Sequence, residues 1–493
     1  MRFEFGNKSQ LILPIAACGL ALLVGLMVST GSIYVILVAL AAVLGGYVIA
    51  LPASWLMAAM AALVYVVAGS IMYFGGVGQA LLLPYGLALG IVAKLLGVRI
   101  DRGSRLTGLH WLFLALAIGV VLAVLLNQPQ PLLATTGIKS LMGFVPVAVL
   151  LGTGVLNEQW QLRFWRATAF IPVLEVPFVL YQYFVVAAKR ASAGGSVAWD
   201  AVVGSFGGNP ESGGASGVLA FLALASVFLA RELVANNQLR RGWYALIACC
   251  ALLCIVLAEV KVIVLLLPAA GFVLFLPQII KRPVRSAFAM IAILIVAVGV
   301  IASYAMLHYS KRNHGTPTPT ELYDYTFGYS TDPNYINLET GEMGRSAALR
   351  LWWTDGWLVN PVKGLIGYGP GASRGKSSFG VGEIARRYPF FIDRSAATQI
   401  LWDFGLFGLV TFLALPFLGA WNCFIANRNR VSSELRAVAV AGPPIFAMTA
   451  IMVPYGRDLL EVPAMNFFFM ALLGTSIWFA RKRKSDSGKL LWK

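Results

Sequence analysis

The chain has 493 residues, of which 59% are hydrophobic and only 12% are charged. Soluble globular domains carry about 25% charged residues, so this composition excludes that class. Apolar runs of about 20 residues, the length that a helix needs to cross a bilayer core of roughly 30 Å, recur along the chain. An outer-membrane barrel is also excluded, because its strands give short segments of alternating polarity. The sequence therefore predicts an all-α polytopic membrane protein.

The net charge of +17 is attributed to Lys and Arg that flank cytoplasmic helix ends, rather than to nucleic-acid binding. Every cysteine lies within or at the end of an apolar run, which predicts neither a disulfide framework nor a Cys-based metal site. The first apolar run, 11–29, is interpreted as a retained span, because another span follows at once and no small-residue cleavage site precedes a soluble domain.

Fourteen membrane spans are predicted in all, or twelve if two pairs are re-entrant. Their approximate bounds are 10–29, 31–51, 53–74, 78–97, 108–126, 134–155, 167–187, 213–231, 242–258, 262–280, 286–306, 396–420, 437–455 and 461–480.

The distribution of Lys and Arg predicts the orientation. With the N-terminus in the cytoplasm, every inside segment long enough to hold charge is basic, and RKRK at 481–484 stays inside. Both termini are then cytoplasmic. The chain divides into spans 1–11 (1–306) with a first long outer loop at 188–212, a large periplasmic loop (307–395), and spans 12–14 with a basic tail (396–493).

The large loop changes character along its length. Its first part, 311–340, is polar and predicts an irregular segment. From Arg345 to about Leu358 a helix-forming run predicts a short helix at the outer membrane surface, where Trp rings are favoured. The run NPVKGLIGYGPGASRGK that follows, 360–376, predicts glycine-rich turns.

Cations are frequent in this large loop, and Arg345, Arg350, Arg374 and Arg394 are among them. Guanidinium groups bind phosphate in a bidentate manner and stay charged, so these residues predict an anionic ligand of fixed geometry. A lipid-linked diphosphate at the outer surface of a bacterial inner membrane is a ligand of that kind. The alternative is that the cations contact anionic lipid headgroups or saccharide carboxylates.

A glycine- and serine-rich run, 204–222, leads into a span. Asn209 is interpreted as the N-cap of that helix, with Pro210 at its first position and free N–H groups directed at an anion. A loop with a small-residue packing face is the alternative.

Charged residues also lie within or beside the apolar runs, where they are costly and often functional. They are Lys139, Glu175, Glu259, Lys261, Arg457, Asp458 and Glu461. For those at the two outer turns, 259–261 and 457–461, pairing with one another is the alternative. His308 and His314 are interpreted as solvated loop residues, and no metal is predicted.

Three motifs together resemble the bacterial O-antigen ligase/polymerase family, which includes O-antigen and exopolysaccharide repeat-unit polymerases. FGGNP (206–210) is similar to its F-G-N-P-N element. GR (344–345) with NP (360–361) and GYGPG (367–371) resembles its G-R…N-P-x-x-G-x-G-x-G element, and RSAATQILWDFGLFGLVTFL (394–413) resembles its H-N-x-x-L…G-x-x-G element. The resemblance covers about residues 150–415.

The resemblance implies a membrane-embedded, metal-independent glycosyltransferase without a cofactor, which acts on undecaprenyl-diphosphate-linked oligosaccharides at the periplasmic face. Its implied catalytic residues are Arg345, which matches the G-R position, Arg190 in the first long loop, and Arg394. The predicted diphosphate-binding residues are Arg350, Arg374, Lys261, Lys189 and Asn209; of these, Lys261 stands where the family often has an Arg at the start of a span. The predicted substrate-binding residues are Tyr368, Trp352 and Trp353.

One departure from the family pattern is Arg394, which stands where the family has His. Arg cannot act as a general base at neutral pH. The departure favours a polymerase over a ligase that transfers glycan to lipid A-core or protein, and it leaves the base open among Asp393, Glu383 and Asp355.

A flippase or other transporter of lipid-linked oligosaccharides is an alternative of another class. Donor, acceptor and membrane lipids are the expected partners, no nucleic acid is expected, and a chain-length regulator stays open.

Overall fold

A computed structural model of the protein describes residues 50–97, 106–192, 198–210, 213–282, 328–375 and 380–490, with a few further residues between 284 and 318. Helices dominate these ranges. In chain order they include α1 (Ala53–Gly75), α2 (Gly78–Gly97), α3 (Gly108–Asn127), α4 (Pro131–Thr153), α5 (Glu158–Arg190), α6 (Ser216–Ala235), α7 (Arg241–Leu257), α8 (Ile263–Lys281), α9 (Arg345–Leu351), α10 (Pro361–Ile366), α11 (Ala396–Arg428), α12 (Arg436–Tyr455), α13 (Asp458–Glu461) and α14 (Pro463–Leu490).

Nine helices of the described ranges are long and apolar enough to cross a membrane, namely α1 to α6, α11, α12 and the stretch Pro463–Arg483 of α14. Each coincides with a predicted span. Two further predicted spans coincide with shorter apolar helices, α7 and the first part of α8. The predicted spans 10–29, 31–51 and 286–306 lie wholly or largely outside the described residues, so the total of fourteen stays a prediction. The protein is a multi-pass, membrane-embedded helical protein.

Helix α14 forms the centre of the bundle, since 94% of its membrane-spanning window is buried within the protein. Three consecutive aromatic residues, Phe467, Phe468 and Phe469, are at most 1% exposed. Buried apolar side chains therefore project from this helix in all directions, as expected of a buried span. A hydrogen bond between helices also forms in this interior: the indole N–H of Trp165 in α5 donates to the hydroxyl of Thr475 at 3.1 Å. Helix α3, by contrast, keeps Leu125 66% exposed, which suits a surface that faces lipid.

Helix α11 is bent near its N-terminal end. Gly405 has φ +69°, a left-handed conformation that interrupts the helix and that glycine adopts without steric cost. A side chain at this position would collide with the backbone of Leu365, because α10 packs directly on the bend. The bend therefore seats the glycine-rich segment of the large loop on top of a membrane span.

The predicted N-cap role of Asn209 is wrong. Residues Gly208–Asn209 form a strand, β1, which pairs antiparallel with β2, Gly213–Gly214. Helix α6 begins only at Ser216, after Ala215. The reason lies upstream of Asn209: Gly207 and Gly208 both have positive φ, so the chain turns into a hairpin before the helix begins.

The described part of the large loop contains only short elements. It begins with a helical turn (Tyr329–Thr331) and a two-stranded ribbon of β3 (Ile336–Asn337) and β4 (Glu342–Met343). Helix α9 then continues through a π-helical turn, Trp352–Trp357, which confirms the helix predicted from Arg345 to about Leu358. Helix α10 lies inside the run that predicted glycine-rich turns, and a short 3-10 helix follows at Ala385–Arg387. The polar segment 311–327 lies almost entirely outside the described residues.

Candidate functional site

Arg345 ties the large loop to the membrane domain. It is the first residue of α9, after Gly344 as N-cap. Its Nε donates to the backbone carbonyl of Tyr455 at the end of α12, and its Nη1 donates to the hydroxyl of Ser330. The guanidinium carbon also lies 4.2 Å from the centre of the Tyr455 ring, a cation–π geometry. Arg345 is therefore fixed where the large loop meets the turn after α12.

Two ion pairs hold the segment before α11 in the same place. Arg457, in the turn after α12, donates from Nη1 to Oδ2 of Asp393 at 2.8 Å. The Asp393 side chain is only 2% exposed, whereas that of Arg457 stays 42% exposed. The neighbouring Arg394 faces Glu342 of β4 at 3.9 Å. These pairs bring residues from three parts of the chain to one end of the bundle.

Arg374 is the third anchor. Its Nη2 donates to the hydroxyl of Ser140 in α4 at 2.6 Å and lies 2.8 Å from a carboxylate oxygen of Glu461. The Arg374 side chain is only 9% exposed. A cation so deeply buried needs a paired anion, and Glu461 supplies it.

The glycine-rich turn that carries Arg374 is itself held by a carboxylate inside a span. Asp403 of α11 is fully buried, and its two oxygens accept hydrogen bonds from the backbone N–H groups of Gly371 and Ser373, each at 2.9 Å. Gly371 adopts φ +80°, and a side chain there would collide with the backbone of Leu133. Glycine and carboxylate together fix the turn against α4 and α11.

The first long loop reaches the same region. Burial raises the pKa of Asp200, whereas the charges of Arg190 and Lys261 lower it and that of Glu342 raises it. Charges at the end of α5, just before α8 and in strand β4 thus act on one carboxyl group. Both long loops thus contribute to one group, here called the charge cluster, formed by Lys139, Arg190, Asp200, Lys261, Glu342, Arg345, Arg374, Asp393, Arg394, Arg457, Asp458 and Glu461.

The carboxyl groups of the charge cluster differ in their electrostatics. Burial raises the pKa of Asp458 to about 6, against the opposing charges of Arg457 and Arg345. For Glu461, burial also acts upward, but Arg374, Arg457 and Lys139 together outweigh it, so its pKa is lowered. Glu461 is therefore a permanent counter-ion, whereas Asp458 exchanges a proton close to neutral pH.

Some guanidinium donors of the charge cluster have no hydrogen-bond partner in the part of the chain that the structure describes. Nη1 of Arg190, Nε of Arg374 and Nε of Arg394 are buried and have no hydrogen-bond partner among the described residues. Buried donors of this kind are costly unless a ligand or water satisfies them. Since the cluster holds seven cations against five carboxylates, its excess of positive charge suits an anionic ligand.

Five of the cations predicted from the sequence meet in the charge cluster: Arg190, Lys261, Arg345, Arg374 and Arg394. The other two predicted cations are exposed and are not among the residues of the charge cluster. Arg350 lies on the exposed side of α9 and pairs with Asn334, and Lys189 is exposed near the end of α5.

The aromatic residues predicted to contact substrate lie in different surroundings. Trp352 is 5% exposed, and its indole N–H donates to the carbonyl of Leu401 at 3.1 Å. Tyr368 packs on Trp402 with ring centres 5.5 Å apart. Trp353 is 51% exposed, and its ring is stacked on Trp357 with ring centres 6.1 Å apart.

Two of the three carboxylates considered as a base pair with residues that do not belong to the charge cluster. Glu383 pairs with Arg387 at 3.4 Å on the surface, and Asp355 accepts from the hydroxyl of Tyr388 at 3.0 Å. Asp393 belongs to the cluster but is held by Arg457.

Sequence reasoning missed three acidic residues of the site, Asp200, Glu342 and Asp403. Asp403 gives the clearest signal that was available, because an acidic residue within an apolar span is costly and marks a polar contact.

The helices and the charge cluster define a multi-pass membrane protein with a mixed ionic site where two long loops meet one end of the bundle. Comparison with protein-family models and with curated proteins gives no match. Within the described residues, no three His, Cys, Asp or Glu side chains are placed to hold a metal ion, and the predicted absence of a metal stays a prediction.

Proposed function

We propose that the protein is a polysaccharide polymerase of a bacterial inner membrane. It transfers a growing glycan from undecaprenyl diphosphate to a new lipid-linked repeat unit at the periplasmic face. The observation that carries the proposal is the convergence of Arg190, Arg345, Arg374 and Arg394, from both long loops, in one charge cluster. The sequence motifs that resemble the O-antigen ligase/polymerase family contain two of these four residues, Arg345 and Arg394.

The ligand chemistry follows from the donors. A diphosphate carries several negative charges on oxygens that accept forked hydrogen bonds, which is what guanidinium groups donate. The unused N–H groups of Arg190, Arg374 and Arg394 are the donors assigned to it. Because Ser140 and Glu461 hold Arg374, and Glu342 lies 3.9 Å from Arg394, binding at these two residues needs little reorganisation.

The reaction requires the protein to stabilise the leaving diphosphate and to accept the proton of the attacking hydroxyl. A hydroxyl oxygen of the acceptor sugar attacks the anomeric carbon, a new glycosidic bond forms, and the bond from that carbon to the diphosphate breaks. The leaving diphosphate gains negative charge, and pre-positioned arginines stabilise this charge in the transition state. The hydroxyl proton needs an acceptor.

We assign that acceptor to Asp458. Its carboxylate forms no ion pair and no side-chain hydrogen bond with the described residues, unlike Asp393 and Glu461. It lies beside Arg345 and Arg457, and its pKa of about 6 leaves it ionised at neutral pH. A carboxylate with that pKa is suited to general base catalysis.

The test is a comparison of two arginines of one helix in cells that make the glycan. Arg345→Ala removes a cation of the charge cluster, whereas Arg350→Ala removes an exposed cation that pairs with Asn334. We expect Arg345→Ala to accumulate single lipid-linked repeats on the outer leaflet and Arg350→Ala to give normal chain lengths.

Other outcomes contradict the proposal in different ways. Normal chain length with Arg345→Ala contradicts a catalytic role for Arg345. Accumulation of repeats on the cytoplasmic leaflet indicates a flippase, and long glycan that is not transferred to its final acceptor indicates a ligase.

A further inference from the structure

A carboxyl group lies in the middle of α5 and forms no ion pair with any described residue. Glu175 is 1% exposed, and its only polar contacts among the described residues are with Ser205 of the first long loop. The backbone N–H of Ser205 donates to Oε2 at 2.7 Å, and the Ser205 hydroxyl oxygen lies 2.6 Å from Oε1.

The number of protons in this contact decides its charge. The hydroxyl oxygen of Ser205 also lies 2.5 Å from the backbone carbonyl of Tyr65. A carbonyl only accepts, and a serine hydroxyl has a single proton to donate. If that proton points to Tyr65, the contact between the hydroxyl oxygen and Oε1 requires a proton on Glu175. If it points to Glu175, two acceptor oxygens face each other at 2.5 Å without a proton between them.

The surroundings agree with a neutral acid. Cys254 of α7 is a titratable group that faces Glu175 from a packed helix, and from α1 the backbone carbonyl of Tyr65 contacts the same serine. No ion pair to Glu175 is formed by any residue that the structure describes. An isolated buried carboxylate costs several kcal/mol, so a group in such a place keeps its proton.

Gln182, seven residues further along α5, contacts the same segment of the first long loop. Gln182 is fully buried, and its Oε1 accepts from the N–H groups of Val203 and Gly204 at 2.9 and 2.8 Å. Its Nε2 donates to the carbonyl of Gly204 at 2.8 Å. A side chain at Gly204, which has φ +69°, would collide with Oε2 of Glu175. Glu175 and Gln182 thus form hydrogen bonds with the backbone of 203–205 from one face of α5.

We propose that Glu175 is a protonated, neutral acid in the folded protein and a positioning residue that fixes the first long loop against α5. The segment it grips follows Asp200, which lies beside Arg190 and Lys261 in the charge cluster. Glu175 therefore sets the place of this loop in the cluster without touching a ligand. The proposal holds whatever reaction the cluster performs.

The test uses the full-length protein in lipid nanodiscs. Infrared difference spectra between the wild type and Glu175→Gln report a carboxylic-acid C=O band if Glu175 is protonated. We expect that band to be lost in Glu175→Gln. Glu158→Gln, which removes a carboxylate paired with Lys482, is the matched control and is expected to remove only carboxylate bands. A Glu175→Gln difference that contains carboxylate bands and no acid band overturns the proposal.

Amide hydrogen exchange at 203–205 supplies a readout of position. Glutamine keeps an accepting oxygen for the Ser205 N–H and donates where the protonated acid donates, so Glu175→Gln is expected to exchange like the wild type. Glu175→Ala loses both contacts, and exchange there is expected to be about tenfold faster or more, the effect of losing a buried hydrogen bond. If Glu175→Gln exchanges as fast as Glu175→Ala, an ionised carboxylate is required and the proposal fails. Should Glu175→Ala not fold, the comparison of Glu175→Gln with the wild type decides alone.

Discussion

Arg374 and Glu461 form an ion pair of 2.8 Å between the glycine-rich turn of the large loop and the short helix α13. The pair is asymmetric, because Arg374 is 9% exposed and Glu461 29% exposed. The carboxylate also faces Lys139 and Arg457, so it neutralises several cations at once. Its position explains how several cations can lie close together at this end of the bundle.

The first prediction concerns this counter-ion. Glu461→Gln leaves Arg374 nearly buried without a paired charge, which costs roughly 1–3 kcal/mol in a partly exposed site. We expect a lower thermal unfolding midpoint in detergent. The matched control is Glu383→Gln, since Glu383 forms an exposed pair with Arg387 worth about 0–1 kcal/mol. Equal midpoints for the two variants would show that Glu461 does not stabilise the cluster.

The second prediction concerns the carboxylate that holds the turn. Asp403→Ala removes the acceptors of the Gly371 and Ser373 N–H groups, and two orphaned buried donors cost about 1–3 kcal/mol each. Amide exchange at 371–373 should accelerate strongly, while exchange at 203–205 in the first long loop stays unchanged. Uniform acceleration in both loops would instead indicate that the whole bundle has lost stability.

The third prediction concerns a glycine contact between a span and the same turn. A methyl group at Gly137 of α4 would lie 2.5 Å from the backbone nitrogen of Gly371, and neither backbone has room to move freely. Gly137→Ala should therefore displace the turn and destabilise the protein by about 1–3 kcal/mol. Gly86 in α2 has nothing within 4 Å, so Gly86→Ala should be neutral or slightly stabilising in thermal unfolding. A neutral Gly137→Ala would contradict the packing of turn on span.

The fourth prediction concerns pH. A proton acceptor must be unprotonated, so the transfer rate should fall as pH drops below about 6, the pKa of Asp458. Asp458→Asn should lower the rate about 10²- to 10⁴-fold and abolish this limb of the profile, measured as glycan elongation by the purified protein. An unchanged acidic limb in Asp458→Asn would assign it to another group.

The pKa of Asp458 also affects stability, but in the opposite direction: the transfer rate falls at low pH, whereas this contribution to stability is lost at high pH. Because burial raises the pKa of Asp458 above its ordinary value of 3.8, the folded protein binds this proton more tightly than the unfolded chain. The contribution is full below about pH 4 and is lost as pH rises through about 6. Thermal unfolding of Asp458→Asn should not show this loss.

The sequence was sufficient for the features that depend on local pattern. Apolar runs place α1 to α6, α11, α12 and α14 because a span needs a continuous apolar length, whatever its neighbours are. The helix from Arg345 was predictable for a similar reason, since no glycine or proline interrupts 345–355.

Features that depend on distant partners could not be read in this way. Asn209 and Pro210 have the chemistry of a helix start, but the positive φ of Gly207 and Gly208 turns the chain into a hairpin first. Arg350 and Arg374 are equally basic in sequence, yet only tertiary packing places Arg374 against Ser140 and leaves Arg350 on the surface. The role of Asp403 depends on a turn that precedes it by some thirty residues.

The most direct test of the central claim is a structure of the full-length protein in nanodiscs with undecaprenyl diphosphate bound. We expect phosphate oxygens within hydrogen-bond distance of Arg374 and Arg394, on the N–H groups that have no partner among the described residues, with Arg190 contacting the same ligand from the side of the first long loop. Phosphates bound at the opposite end of the bundle, beside Arg240 and Arg241, would contradict it.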